Sequence, residues 1–312
     1  MLVRPKDYIV AKQDLFFAVL SDYIEADHVL SFLRYKNNND VLQKLQTDEA
    51  IEVIKNSHPE FLYHSQHADI ELHGIPIDFI EQVYRPEETT SRLLSLPNPD
   101  PKQQDANNVI KQFIKRGVSP AALGITGSLM LDTHNQSSDI DIVVYGRDNF
   151  FKVRELIRQG IAAGEFGELD EIMWRDAWQR RACALDFEEY CKYEAKKYNK
   201  CLYGQSKVDI SMIPAANEKV NDIGMYKKLG REKIIARVID DTFAYDFPAR
   251  FYTDHDNIKE VVVYTATYTG QATRGDKIEV SGYLEQNEYK STRLIVGTSR
   301  EAKGEYIRVI TE

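Results

Sequence analysis

The sequence predicts an α+β fold in which a mixed sheet is flanked by a small N-terminal α+β module and a C-terminal all-β, barrel-like domain. Three observations predict it. Strand-like alternation dominates the first 85 residues, two strands flanked by helical periodicity occupy the middle, and strand patterns with polar turns fill the last third. We therefore expect three domains, at residues 1–96, 102–216 and 217–312.

Composition sets the broad class of protein. The 312 residues carry a formal charge of −9, with 29% charged and 43% hydrophobic residues, which is ordinary for a globular chain. This charge argues against a broadly basic nucleic-acid-binding surface, although a local basic stripe can coexist with it. No apolar run is long enough to span a bilayer and the N-terminus lacks a signal-peptide core, so we expect a cytoplasmic protein without a membrane partner. Three cysteines without CxxC spacing predict reduced structural thiols.

The N-terminal module shows strand patterns on both sides of one helix. Strands are expected at residues 7–10, 15–20 and 28–35, and a later apolar-polar stretch, 68–79, is expected to return to the sheet. Asp40 is expected to cap a helix that reaches Asn56. We find no catalytic set of side chains in this module.

A proline-rich linker separates the module from the middle segment. Pro97, Pro99 and Pro101 block both helix and sheet pairing. The apolar residues of 106–116 then recur at helical spacing, and Gly117 ends this helix. A second helix is expected from 149 to 162, so the two central strands lie between helices.

Residues 124–146 carry the side chains that point to chemistry. Gly127-Ser128 follows an apolar strand and forms a tight turn, whose backbone N–H groups can bind an anion. Asp139 and Asp141 alternate with isoleucines, so both carboxylates face one side, about 7 Å apart along the strand. Such carboxylates repel each other unless a cation lies between them. Oxygen ligands of this kind suit Mg²⁺, which completes its shell with water and substrate phosphates.

Gly127-Ser128, ten intervening residues and Asp139-Ile140-Asp141 on a hydrophobic strand resemble the signature of the DNA polymerase beta nucleotidyltransferase superfamily. Its members include CCA-adding enzymes, poly(A) polymerases, kanamycin nucleotidyltransferase and the minimal nucleotidyltransferases. More narrowly, residues 118–146 resemble an uncharacterised, mostly archaeal group of predicted nucleotidyltransferases.

This resemblance implies transfer of a nucleoside monophosphate from a nucleoside triphosphate, with ATP as the expected donor, and release of pyrophosphate. The acceptor would be a hydroxyl, on an RNA 3′ end or on a protein side chain. Asp139 and Asp141 would bind two Mg²⁺ ions, and a third carboxylate would bind the ion that activates the hydroxyl.

The resemblance expects the third carboxylate on a later strand. Residues 207–213 form the matching strand pattern, and Asp209 would face the same side as Asp139 and Asp141. Asp170 and Asp186 are alternatives, but both lie in helical, charge-rich surroundings. Asp209 is therefore the expected third metal ligand.

A lysine-rich stretch precedes this strand. Residues 183–206 are expected to be largely helical, and Lys192, Lys196 and Lys200 follow at four-residue steps on one face. We expect lysines of this ridge, Lys196 and Lys197 among them, to contact the triphosphate. A solvated helix face is the alternative.

The last third of the chain predicts a small β-barrel or sandwich, and an oligonucleotide-binding barrel has about this number of strands. If exposed, four tyrosines could stack on bases, although packing is the favoured interpretation: Tyr264, Tyr268, Tyr283 and Tyr289. Two other functional classes stay open. One is a nucleic-acid-binding protein without catalysis, and the other is an antitoxin-like interaction protein on the same scaffold.

Overall fold

The computed structural model describes residues 3–12, 14–181, 183–220, 222, 224–299 and 302–310. The chain forms two compact units, Met1–Tyr145 and Gly146–Glu312. Six helices and several sheets confirm the predicted α+β class within these residues. The division into three domains, with boundaries near residues 96 and 217, stays a prediction. Among the described residues, no helix is long and apolar enough to cross a membrane.

The first unit contains an antiparallel sheet of seven strands, in the order β5-β6-β3-β2-β1-β7 with β4 paired to β3. Its strands are β1 (Tyr8–Ala11), β2 (Leu15–Glu25), β3 (His28–Asn38), β4 (Val41–Lys44), β5 (Leu62–Ser65), β6 (Ile70–Pro76) and β7 (Ile80–Tyr84). Helix α1 (Thr47–Ser57) packs on one face of this sheet through Ala50 and Ile54, which are fully buried in a core with Phe17 and Phe61. The expected N-terminal strands are therefore present, and β2 and β3 are longer than expected.

The prediction that Asp40 caps this helix is wrong. Asn39 and Asp40 both have positive φ, 52° and 63°, and they form the turn between β3 and β4. Asn and Asp tolerate this conformation better than other residues with side chains, which suits a tight hairpin turn. The helix instead begins six positions later, at Thr47, where Oε2 of Glu49 accepts a hydrogen bond from the backbone N–H of Gln46 at 2.8 Å.

Two further helices and a hairpin complete the first unit. Helix α2 (Pro86–Ser95) was not predicted, although Pro86 at its first position and two glutamates in its first turn are start signals. Helix α3 (Pro101–Lys115) begins earlier than expected because Asp100 caps it, accepting hydrogen bonds from the backbone N–H of Lys102 and Gln103. Strands β8 (Leu123–Thr126) and β9 (Ile140–Tyr145) pair antiparallel.

The second unit begins with three helices and a hairpin: α4 (Arg147–Ala162), α5 (Glu171–Arg181), α6 (Phe187–Lys196), β10 (Lys200–Tyr203) and β11 (Ser206–Ile213). The expected helix over 183–206 is wrong in extent. Helix α6 ends at Lys196, and Tyr198 takes a positive φ of 47°, which interrupts the helical backbone. The chain then returns as β10, which pairs antiparallel with β11.

The rest of the second unit is a β-barrel. Five strands form a closed ring in the order β12-β13-β14-β16-β15, because β15 also pairs with β12. The strands are β12 (Tyr226–Asp240), β13 (Ala249–Thr253), β14 (Glu260–Val263), β15 (Lys277–Asn287) and β16 (Thr292–Val296), and β17 (Tyr306–Val309) adds to β15. β14 and β16 are parallel and the other pairs are antiparallel. The expected C-terminal barrel is therefore present, with β13 as a strand that sequence reasoning missed.

Candidate functional site

The signature residues lie on the hairpin of β8 and β9, which with its connecting loop is called the signature hairpin (123–145). Thr126 pairs with Asp141 and Ile125 with Ile142, so the turn after β8 and the start of β9 lie side by side. Ile140 and Ile142 are buried while Asp141 is half-buried, as the strand alternation predicts. Asp139, also half-buried, immediately precedes the strand.

Gly127 lies directly against the Asp141 carboxylate. Its φ is 68°, and a Cβ at this position would lie 2.5 Å from Oδ2 of Asp141. Any side chain here would therefore collide with the carboxylate and adopt an unfavourable backbone conformation. The structure brings together the glycine of the expected phosphate-binding turn and one of the two expected metal ligands. Glycine at position 127 is therefore what allows the backbone of the turn to approach this carboxylate so closely.

The loop between the two strands is held by local hydrogen bonds. Residues Gly127–Leu129 form a single 3₁₀ turn, and the N–H of Thr133 donates to the carbonyl of Ser128 at 2.9 Å. Farther along, Nε2 of His134 lies 2.7 Å from Oδ2 of Asp100, the cap of α3. Burial alone would raise the pKa of Asp100, but the N–H groups at the helix start and the His134 imidazole lower it. The start of α3 therefore anchors the loop that leads to Asp139.

The N-terminal sheet packs against the signature hairpin, which sequence reasoning did not anticipate. Tyr8 and Tyr35 form a buried cluster with Met130 and Leu131 of the loop. Burial raises the pKa of both tyrosine hydroxyls, and the negative charge of Asp141 contributes to the increase. The module thus supplies neutral hydroxyl groups close to the Asp141 carboxylate. Sequence periodicity does not distinguish Tyr8 and Tyr35 from other buried tyrosines of a strand.

A cavity of about 220 Å³ adjoins the same loop. Its lining includes Met130, Leu131 and Asp132 of the loop, together with Phe16 and Asp40 of the N-terminal sheet. The lining contains two carboxylates and no cationic side chain among the described residues, so the cavity does not fit a triphosphate. The Gly127-Ser128 turn therefore stays the candidate for phosphate binding.

Asp209 belongs to the second unit and lies on β11. Its neighbours Val208 and Ile210 are buried while Asp209 is half-buried, so the strand alternates as the sequence predicts. Across the hairpin its register partner is Lys200. The negative charges of Glu194 and Asp209 raise the pKa of Arg181, although burial acts against this increase. Asp209 therefore has two cationic neighbours, Lys200 and Arg181, which the sequence analysis did not predict.

The lysines of the expected ridge have different environments. Lys200 lies on β10 and not on α6, so it does not continue the face of Lys192 and Lys196. The ammonium of Lys197 is buried; it donates to Oε1 of Glu194 at 2.5 Å and to the carbonyl of Thr267 at 2.8 Å. The prediction of one helical ridge of three lysines is therefore wrong. Lys197 is buried against Glu194, and this position does not support its predicted contact with a triphosphate. Lys196 is exposed, and its predicted role stays a prediction.

The carboxylates of the signature hairpin suit a hard cation. Among the described residues, no group of three His, Cys, Asp or Glu side chains is arranged to bind a metal ion. Mg²⁺ commonly takes only one or two protein carboxylates and fills its shell with water and phosphate oxygens. The oxygen donors of Asp139 and of Asp141, the second of which lies against the backbone of Gly127, fit this mode of binding.

Comparisons with known proteins agree with the signature. A family model described as "Nucleotidyltransferase domain" matches residues 107–223. A protein of Methanocaldococcus jannaschii described as uncharacterized is 30% identical over 339 aligned residues, which cover 99% of this chain and 99% of that protein. No solved structure matches the chain. The chain belongs to the nucleotidyltransferase family of the DNA polymerase beta type.

Proposed function

We propose that the protein transfers a nucleoside monophosphate from a nucleoside triphosphate, with ATP as the expected donor, to a hydroxyl acceptor and releases pyrophosphate. The observation that carries this proposal is the contact between Gly127 and the Asp141 carboxylate. This contact brings the backbone of the turn next to a carboxylate, and binding of a metal-complexed triphosphate requires both groups. The acceptor hydroxyl would belong to an RNA 3′ end or a protein side chain.

Each residue of the candidate site has a proposed role in metal or triphosphate binding. Asp139 and Asp141 bind the Mg²⁺ ions, Asp209 supplies the third carboxylate, and the backbone of Gly127 and Ser128 binds the triphosphate. Bound Mg²⁺ neutralises phosphate charge and lowers the pKa of the attacking hydroxyl. The protein's own contribution is to orient the donor and to place opposite charge where negative charge develops. Lys196 is retained as a candidate contact of the triphosphate because it is exposed.

The test is equilibrium binding of ATP, CTP, GTP and UTP, with and without Mg²⁺. Wild type is compared with Asp139→Asn/Asp141→Asn and with the control Asp132→Asn/Asp148→Asn, which removes two exposed carboxylates instead. We expect Mg²⁺-dependent binding that the first variant loses and the control retains, and the preferred base identifies the donor. Absence of triphosphate binding by folded wild type would contradict the proposal.

The role of Asp209 needs a separate variant. Asp209→Asn should reduce pyrophosphate release more than triphosphate binding, because the third carboxylate acts on the hydroxyl and not on the donor. Asp170→Asn and Asp186→Asn serve as controls, since Asp170 precedes α5 and Asp186 caps α6 through the N–H of Glu189. If a control variant loses pyrophosphate release to the same extent, Asp209 is not the third carboxylate of the site.

A further inference from the structure

The outer surface of the barrel contains one face that is rich in cations and tyrosines. It spans three neighbouring strands, β17, β15 and β12, whose register places their outward side chains in rows. Arg237 pairs with Lys277, Lys233 with Ser281 and Arg231 with Tyr283, while Arg308 pairs with Glu279 and Tyr306 with Ser281. Directly paired residues project to the same face of a sheet. We call this surface the basic face; its members are Arg231, Lys233, Arg237, Lys277, Tyr283, Tyr306 and Arg308.

The basic face is strongly positive on an acidic chain. It carries five cationic side chains, and Glu279 is the acid in its centre, where it lies 2.9 Å from Lys233. Arg308 also contacts Glu189 of α6 at 3.0 Å. The remaining cations give the face a net positive charge although the whole chain carries −9. The face is solvent-accessible, since the side chain of Lys233 is 55% exposed and that of Arg308 is 40% exposed.

The two tyrosines lie among these cations in fixed orientations. The Arg231 guanidinium lies 5.2 Å from the centre of the Tyr283 ring, and its Nε donates to the tyrosine hydroxyl at 3.2 Å. The Tyr306 ring lies between Lys233 and Arg308, at 5.9 Å and 5.4 Å, and its hydroxyl donates to Glu279 at 2.7 Å. Both rings are half-buried, so part of each ring is accessible.

We propose that the basic face binds single-stranded nucleic acid. Cations attract the phosphate backbone, and aromatic rings and guanidinium planes stack on unpaired bases. The basic face offers both kinds of group on three neighbouring strands. In a duplex the bases are already stacked and paired, so no unpaired base is available to stack on the tyrosine rings. The proposal does not depend on nucleotidyl transfer.

The test is fluorescence anisotropy of the full chain with a labelled 20-nucleotide single-stranded RNA of mixed sequence, without Mg²⁺ or nucleoside triphosphate. The same sequence as single-stranded DNA and as a duplex shows which form is preferred. Arg231→Ala/Arg237→Ala/Tyr283→Ala removes two cations and one tyrosine from the face. The control Lys259→Ala/Lys290→Ala/Tyr289→Ala also removes two cations and one tyrosine, but from exposed positions outside this face.

We expect the first variant to lose at least tenfold in affinity for the single strand and the control to stay within twofold of wild type. The slope of log K against log salt should decrease by about 1.4 in magnitude, since each phosphate contact on a single strand contributes about 0.7. Lys277→Glu should weaken binding without removing a stacking surface. Thermal unfolding of each variant verifies that it is folded.

Three outcomes would overturn the proposal. They are no binding of a single strand by wild type, equal or tighter binding of the duplex, and equal loss of affinity in the control variant. Asp139→Asn/Asp141→Asn should bind the single strand like wild type, so failure of this proposal and failure of the transferase proposal are distinguishable.

Discussion

The signature hairpin of the first unit and the basic face of the second unit present opposite charges by the same means. In both, strand alternation buries one set of side chains and projects the other, as Ile140 and Asp141 do on β9 and as Ile234 and Lys233 do on β12. The hairpin projects the Asp141 carboxylate toward a backbone turn, which suits a metal ion and a triphosphate. The basic face projects cations between tyrosines. The comparison teaches that the net charge of −9 conceals two surfaces of opposite sign.

The largest expected effect tests whether the two surfaces are independent. Asp139→Asn/Asp141→Asn should reduce nucleotidyl transfer at least about 10³-fold, because several kcal/mol of charge stabilisation at the phosphates is lost. Single-strand affinity of the basic face should not change. Pyrophosphate release and anisotropy measure the two effects on the same preparation. A parallel loss of both activities would show that the surfaces act as one site.

The second prediction contrasts both surfaces with a charge cluster that is buried. Burial alone would raise the pKa of Glu194, but Lys197 and Lys200 lower it to about 2. Lys197→Gln leaves this buried carboxylate with one partner fewer and should reduce the free energy of unfolding by about 3–5 kcal/mol. Lys196→Gln, one residue earlier and exposed, should change it by less than about 0.5 kcal/mol. Urea denaturation compares them; equal stabilities would refute a structural role for Lys197.

The third prediction uses two glycines with nearly the same backbone conformation. Gly127 has a φ of 68° and contacts Asp141, whereas a Cβ at Gly164, where φ is 72°, would meet no atom of the described residues within 4 Å. Both alanine variants should lose roughly 1–2 kcal/mol of stability from the left-handed backbone. Only Gly127→Ala should also weaken triphosphate binding, by about 10- to 100-fold, a change of about 1.4–2.7 kcal/mol. Similar triphosphate affinities in the two variants would argue against a role for the close approach of Gly127 to Asp141 in triphosphate binding.

The fourth prediction separates the surfaces by salt. Raising NaCl from about 50 to about 200 mM should weaken single-strand binding roughly 30-fold, for three to four phosphate contacts. Mg²⁺-dependent triphosphate binding at the signature hairpin should weaken less, because fewer phosphates and a coordinated ion are involved. Titrations at four salt concentrations provide both slopes. Equal slopes of log K against log salt would contradict the prediction that the two surfaces bind their ligands in different ways.

The fifth prediction concerns Asp7, a buried carboxyl close to the signature hairpin in the first unit. Burial raises its pKa from 3.8 to about 6, although the backbone N–H of Arg4 donates to Oδ2 at 2.9 Å. Between these values the folded state binds the proton more tightly than the unfolded state. The stabilising contribution is therefore complete below pH 3.8 and is lost as the pH rises through 6.

Asp7→Asn should consequently stabilise the protein at about pH 7.5 by about 1–3 kcal/mol, since the amide oxygen can still accept from Arg4 and no charge is buried. At about pH 4 the variant and wild type should have similar stabilities. Thermal unfolding at both pH values tests this, with Asp14→Asn as an exposed control. A variant that is less stable than wild type at the higher pH would show that the charge is needed.

Much of the fold could be predicted from sequence where a pattern is local. The alternation in the second half of β3, at the start of β9 and in β11 follows from one buried face, and the Gly127-Ser128 turn follows from its residue types. The errors arose where two local interpretations compete. Asn39-Asp40 can cap a helix or turn a hairpin, and the tertiary pairing of β3 with β4 selects the hairpin. The lysine spacing indicated one helix, but β10 pairs with β11 and ends it.

The sequence by itself determined the family, the α+β class and the two aspartates of the signature, because these depend on residue types at short, regular spacing. Only the tertiary structure decided that Gly127 touches the Asp141 carboxylate, that Lys197 is buried against Glu194, and that Tyr8 and Tyr35 pack beside the signature hairpin. The basic face also required the barrel register, since its members come from three strands separated by tens of residues. Contacts of this kind depend on which elements pack together, and no spacing within one element encodes that choice.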